Sequence, residues 1–124
     1  MVSAPRGLLR LVALQLLSES SLSGAELQEQ VSRTSSGVWR PGPGSIYFMT
    51  TALRKADFVV ELPGRGGGTT RRYVITNKGR AELERLKSQH RRETKKQLEL
   101  LAYYCDVAGD KTLGESLRAL AAKS

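Results

Sequence analysis

The chain has 124 residues, 40% of them hydrophobic, with 20 Lys plus Arg against 12 Asp plus Glu and a formal net charge of +8. That length suits one compact domain with enough apolar residues for a core, which excludes wholesale disorder; one Cys and one His exclude an internal disulfide and a four-ligand His/Cys zinc site. No apolar run approaches the roughly 18 residues of a membrane-spanning helix, so the excess positive charge predicts an anionic partner, nucleic acid before a membrane surface.

The first predicted element is a helix over roughly Pro5 to Ser18. Its apolar residues Leu8, Leu9, Leu11, Val12, Leu14, Leu16 and Leu17 fall on more than one face, which predicts broad burial against its own domain and another chain. Arg6 before Gly7-Leu8-Leu9 has the look of a secretory signal, but Arg10 and Gln15 interrupt its apolar centre. Ser20 to Gly24 offers no Ala-x-Ala cleavage site, and with a lone thiol the expected location is the cytoplasm. Ser23 and Glu26 then form a capping box that opens a second helix, with Leu27 and Val31 on one face and an end near Thr34.

Residues 35–44 are punctuated by Gly and Pro and read as a loop, which Trp39 is expected to anchor. Pro43 suits the first turn of a third helix, where its missing N–H costs nothing. Ile46, Met49 and Leu53 share an inward stripe; Tyr47, Thr51, Arg54 and Lys55 share the opposite one. The outward stripe is aromatic, hydroxyl-bearing and basic, with no acidic residue until Asp57.

Phe58 to Leu62 has β-branched and aromatic strand character, and Thr70 to Ile75 returns as a second strand. Between them Pro63 to Thr69 is a Gly-rich hairpin tip. Its Gly66-Gly67-Gly68-Thr69 run lacks the Gly-Lys-Ser/Thr ending of a phosphate loop and opens no helix. Thr76 is expected to cap a fourth helix that starts near Lys78 and, if continuous to Cys105, runs about 29 residues or roughly 43 Å. Leu83 and Leu86, then Leu98, Leu101, Tyr104 and Cys105, supply its apolar positions around a polar middle from Lys87 to Gln97. A helix so long and polar is expected to project and meet a partner chain. Gly109 breaks it, and Thr112 to Glu115 reads as another capping box for a last helix carrying Leu113, Leu117 and Leu120 on one face.

Residues 1–60 hold six basic and four acidic residues, net +2, whereas residues 61–124 hold fourteen and eight, net +6. Arg65, Arg71 and Arg72 flank the hairpin tip; Lys87, Arg91, Arg92, Lys95 and Lys96 lie along the long helix and read as a solvated face.

Helix, helix, helix, hairpin, long helix is the order of a winged helix-turn-helix domain with a C-terminal dimerisation helix. The string Gly37-Val38-Trp39-Arg40-Pro41-Gly42-Pro43-Gly44-Ser45-Ile46-Tyr47, followed by Leu53, resembles the third-helix signature of the PadR family of transcriptional regulators. That family typically runs Trp-Lys-Pro-Ser-Pro-Gly-Thr-Ile-Tyr there. Arg71 to Gly79 is similar to the family's second wing strand and its Thr-x-x-Gly turn, and Ser23-Gly24 with Leu27 is similar to the start of its second helix. The resemblance covers about residues 7–88. Phe48 stands where the family usually has Pro, Thr50-Thr51-Ala52 replaces its common pattern, and the tail beyond Asp106 is longer than a minimal member requires.

The expected fold class is α+β, mainly helical: a winged helix-turn-helix at residues 1–76 and a C-terminal helical dimerisation region at residues 77–124. On double-stranded DNA the third helix is the candidate for the major groove. Ser45 and the helix N-terminus are available to a phosphate, and Tyr47 to the backbone, a role the resemblance also implies. Thr51, Arg54 and Phe48 are the candidates for base edges or a thymine methyl, and Lys55 for phosphate. Arg65 at the wing tip is the candidate for the minor groove, with Arg71 or Arg72 on the flanking backbone.

Each has a structural alternative: Tyr47 as a half-buried core residue, Phe48 packed on the first helix, Arg72 paired with Glu61 across the hairpin. Cys105 reads as a buried thiol and His90 as exposed. No nucleophile, base and orienter recur together, so no catalytic site, metal or cofactor is expected. A homodimer is expected through the long helix, with Leu9, Val12, Leu16, Leu98, Leu101, Tyr104 and Cys105 in its interface, reading a near-palindromic operator. The resemblance implies a repressor whose dimers respond to small hydrophobic or aromatic effectors; Tyr103, Tyr104 and apolar positions of the first helix are the residues available. A non-specific nucleic-acid-binding or protein-interaction adaptor without effector response is the alternative.

Overall fold

The computed structural model describes residues 7–64 and 70–123. Its elements run α1 (Leu8–Glu19), β1 (Leu22–Ser23), α2 (Gly24–Thr34), α3 (Pro43–Lys55), β2 (Val59–Pro63), β3 (Arg71–Ile75), α4 (Asn77–Val107) and α5 (Lys111–Ala122). The chain is an α+β, mainly helical protein of winged helix-turn-helix form. It divides into two compact units, residues 1–84 and 85–124, with α4 contributing to both.

The first unit carries the main core. From α1 come Ala13, Leu14, Leu16 and Leu17, from α2 Leu27 and Val31, and from α3 Ile46, Met49 and Leu53. Val59, Ile75 and Leu83 close it from the sheet and the start of α4. Burying each such aliphatic side chain contributes about 1.5–3 kcal/mol. The N-terminal cap of α2 forms as its sequence requires: the Glu26 N–H donates to the Ser23 hydroxyl at 3.1 Å, and the Ser23 N–H donates to the Glu26 carboxylate at 2.9 Å. Observed α1 starts at Leu8; the expected start at Pro5 lies outside the described residues.

The sheet has three strands rather than the two expected, in the order β1-β3-β2 and antiparallel throughout. β1 is only two residues long, too short to show any alternation, and it exists because β3 offers Leu22 and Ser23 a free edge opposite Tyr73 and Arg72. β2 pairs with β3 from Val59 opposite Ile75 to Pro63 opposite Arg71.

The turn into α4 is tightly specified. The Thr76 hydroxyl donates to the Asp57 carbonyl at 2.6 Å and accepts from the Gly79 N–H at 3.0 Å. A Cβ on Gly79 would stand 2.1 Å from the Phe58 carbonyl oxygen, so only glycine permits this approach of helix to strand. The first turns of α4 therefore belong to the first unit, where Glu82 accepts from Arg10 at 3.2 Å and Leu83 is buried. For that reason the observed division, after Glu84, lies beyond the boundary expected after Thr76.

In the second unit α5 lies close against the end of α4. A Cβ on Gly114 would meet the Asp106 carboxylate at 2.7 Å and the Ala102 carbonyl at 3.2 Å, so the two helices touch through small residues. Ala102, Cys105, Gly114 and Ala121 are buried there, and Arg118 pairs with Asp106. The capping box expected at Thr112 is corrected. The helix begins at Lys111, and the Asp110 carboxylate, freed by the left-handed turn at Gly109, accepts from the Leu113 N–H at 3.2 Å.

Candidate nucleic-acid interface

The outward face of α3 is built by fixing its inward face and both its ends. The loop before it is held by the Ser35 hydroxyl, which accepts from the Trp39 N–H and donates to the Trp39 carbonyl. Trp39 itself is half-buried. Gln28 donates to the Pro41 carbonyl at 2.7 Å, and Arg40 pairs with Glu29 at 3.1 Å, so the loop is tied along α2. Pro43 occupies the first turn of α3. Ile46, Met49, Thr50 and Leu53 are buried, the Thr50 hydroxyl donating to the Tyr47 carbonyl.

With that stripe committed inward, the opposite one faces out. Tyr47 is 72% exposed and Phe48 77%, which removes the core alternative for both. Ser45, Arg54 and Lys55 are exposed and Thr51 is half-buried. An exposed Tyr-Phe pair beside hydroxyls and cations is costly to leave in water without a partner. Its N-terminal N–H groups have no side-chain cap, leaving them to accept an anion.

The C-terminus of α3 determines what surrounds Arg54. Asp57 takes the left-handed conformation at φ 63°, and the Phe58 N–H donates to the Leu53 carbonyl at 2.9 Å. This reversal brings β2 back beside the helix. Arg54 Nε then stands 3.6 Å from one Glu61 carboxylate oxygen, and Arg71 Nε stands 3.7 Å from the other. The register explains the second contact: Glu61 lies opposite Tyr73, so Arg71, two residues along, shares its face of the sheet.

The expected pairing of Arg72 with Glu61 is corrected. Arg72 points to the other side, where it donates to the Ser21 carbonyl at 2.5 Å and to the Glu26 carboxylate at 2.8 Å. Side chains alternate across a strand, so Arg71 and Arg72 cannot both meet Glu61. The backbone N–H of Ser23 holds the Glu26 carboxyl below its ordinary value, partial burial opposes this, and the positive charge of Arg72 adds to the lowering. Arg72 is thus a strut between β3 and the start of α2. Arg65 and the Gly-rich tip lie outside the described residues.

A shallow groove of about 350 Å³ runs beside the aromatic face, lined by Gly24, Ala25 and Gln28 of α2, by Pro43, Ile46, Tyr47 and Thr50 of α3, and by Tyr73. Tyr73 is the participant sequence reasoning missed, and Glu61, which it paired with Arg72, stands beside Arg54 and Arg71 instead. A two-residue alternation through Glu61, Tyr73 and Arg71 carries the signal, but only once the register is known.

The residues expected at a dimer interface divide. In the second unit Leu101 is 50% exposed and Tyr104 71%, with Leu98 half-buried and Cys105 buried against its own unit. In the first unit Leu9 and Val12 are half-buried and Leu16 is part of the core. Leu16 and Cys105 are buried within the chain itself, as the buried-thiol reading of Cys105 expects. Among the described residues no three His, Cys, Asp or Glu side chains cluster as a metal site, and no helix is long and apolar enough to cross a membrane.

The model of the transcriptional regulator PadR-like family matches residues 13–85. No curated protein matches the chain. Among solved structures, it is similar to a candidate transcriptional regulator from Thermoplasma acidophilum, with 26% identity, a TM-score of 0.68, and coverage of 78% of this chain and 91% of that one. A PadR-like transcriptional regulator from Bacillus cereus is 24% identical with a TM-score of 0.58, over 68% of this chain and 82% of that one. PadR of Bacillus subtilis, solved in complex with operator DNA, is 14% identical with a TM-score of 0.57, over 98% of this chain and 93% of that one.

Proposed function

The chain belongs to the PadR-like family of transcriptional regulators, which are not enzymes, and on that premise we propose that it is a sequence-specific repressor that binds double-stranded operator DNA as a homodimer in the cytoplasm. The observation that carries this reading is the face of α3. A helix whose outward stripe is Ser45, Tyr47, Phe48, the half-buried Thr51, Arg54 and Lys55 has the hydrogen-bonding groups, the cations and the apolar contact surface that a major groove requires. The Bacillus subtilis relative with the same fold was solved on operator DNA, which supports the reading.

In this arrangement Ser45 and the uncapped N–H groups of α3 meet one phosphate, and Tyr47 and Lys55 meet the backbone. Thr51, Phe48 and Arg54 meet base edges or a thymine methyl. Arg71 and Arg65 reach the backbone and minor groove from the wing. Arg72 acts through the fold, since its guanidinium is already engaged by Ser21 and Glu26. Two copies joined through Leu98, Leu101 and Tyr104 would present two such helices about one DNA turn, roughly 34 Å, apart and so favour a near-palindromic operator. A small aromatic or hydrophobic effector would meet the exposed Tyr103 and Tyr104 and release the DNA.

A gel shift on a duplex from upstream of the protein's own gene tests the reading. Specific retardation, lost in Arg54→Ala and kept in Lys95→Ala, is the expected result. Retardation indifferent to sequence, or lost equally in both variants, replaces it with a non-specific adaptor.

A further inference from the structure

One carboxylate stands beside two arginines of the candidate DNA-binding face. Glu61 of β2 lies between the recognition helix and the wing, 3.6 Å from Arg54 and 3.7 Å from Arg71, and each contact runs through the Nε of the guanidinium. Its side chain is partly shielded, 29% exposed, while those of both arginines are at least half exposed. A carboxylate on a surface meant for phosphates costs affinity by like-charge repulsion, so a bare duplex-binding surface would not place one there.

We propose that Glu61 is a positioning residue for sequence discrimination, an inference that rests on the DNA-binding reading above. It draws Arg54 electrostatically toward its Nε edge at 3.6 Å, which leaves the paired terminal nitrogens available for the bidentate contact that arginine makes with a guanine edge. The same carboxylate attracts Arg71 at 3.7 Å and competes with non-specific phosphates for both guanidiniums. Glu61 thereby raises cognate binding relative to non-specific binding, at some cost in total electrostatic attraction. Glu26 plays no part in this, because its cation is Arg72 on the opposite side of β3.

The test measures binding of the full chain and its variants to two duplexes across a salt series: one enriched from a random pool by the wild-type protein, and one of mixed sequence and equal length. For Glu61→Gln, affinity for the mixed duplex is expected to rise about 3- to 10-fold, with a salt slope steeper by about 0.9 for each phosphate newly contacted. Affinity for the enriched duplex is expected to stay level or fall, so the ratio between the two drops at least about 3-fold. Glu61→Asp keeps the charge but retracts the oxygens, and should show the same loss of ratio in smaller degree. In an Arg54→Ala, Arg71→Ala background, Glu61→Gln should no longer change the ratio.

An unchanged ratio with an unchanged salt slope overturns the proposal, as does a change in ratio that persists without the two arginines. Thermal melting of each variant separates these outcomes from unfolding, and the Asp variant decides the matter if the Gln variant melts early. Failure of the wild-type protein to enrich any sequence would instead overturn the DNA-binding reading itself.

Discussion

The two units of this chain spend their apolar residues in opposite ways. The first places Leu14, Leu27, Val31, Leu53 and Val59 almost wholly out of water within its own fold. The second buries little beyond Ala102, Cys105, Gly114 and Ala121, and leaves Leu100, Leu101, Tyr103, Tyr104, Val107, Leu113 and Leu120 exposed. A helical hairpin packed through alanine and glycine brings its backbones close but removes little apolar area from water. Its larger side chains stay exposed. The first unit buries its large apolar side chains in its own core, while the second keeps its own exposed.

The largest expected effect falls on the first unit. Leu53→Ala should cost about 3–5 kcal/mol, because a fully buried leucine leaves a cavity, and denaturant unfolding measures it. Leu101→Ala, the same change in the second unit, should cost well under about 1 kcal/mol in protein dilute enough to be monomeric. Comparable losses at the two sites would break the contrast. Next comes association: Leu101→Asp with Tyr104→Asp should raise the dimer dissociation constant at least about 100-fold, since unpaired charges in an apolar interface are strongly disfavoured. Sedimentation at several concentrations reads this directly, and a protein already monomeric as wild type would sink the interface.

Smaller effects come from the helix caps, one in each unit. Ser23→Ala removes a reciprocal capping box and should cost about 1–2 kcal/mol; Asp110→Ala removes a single bond at an exposed end and should cost about 0.5–1 kcal/mol. The smallest is a pH effect at Glu26. Its carboxyl is held below the ordinary value in the folded state, so the stability it contributes is present above about pH 4.5 and lost as pH falls through the lower folded value. Glu26→Gln should thus be less stable than wild type at neutral pH, and the gap should close as pH falls below the lowered folded value, as followed by thermal melts at each pH. A gap that persists there would assign the loss to geometry rather than charge.

Much of the first unit is legible in the sequence because its signals are local. The capping box at Ser23 and Glu26, the proline that opens α3, the inward stripe of Ile46, Met49 and Leu53, and the Thr76 cap all depend on residues within a turn or two of each other. The exposed stripe of α3 follows from the same periodicity. The cap of α5 illustrates the limit: Asp110 and Thr112 are both competent, and the chosen one depends on the backbone left by Gly109.

What the sequence by itself determined is therefore the order of the five helices and the two longer strands, the outward face of α3, and the family. What only the tertiary structure decided is which charge meets which. Arg54, Glu61 and Arg71 come together because the turn at Asp57 folds β2 beside α3 and because the strand register places Glu61 opposite Tyr73. Arg72, one residue from Arg71, is sent by the pleat to Ser21 and Glu26 instead. Periodicity within an element is written in neighbouring residues, whereas contact between elements depends on register and turn geometry, which a one-residue slip would reverse.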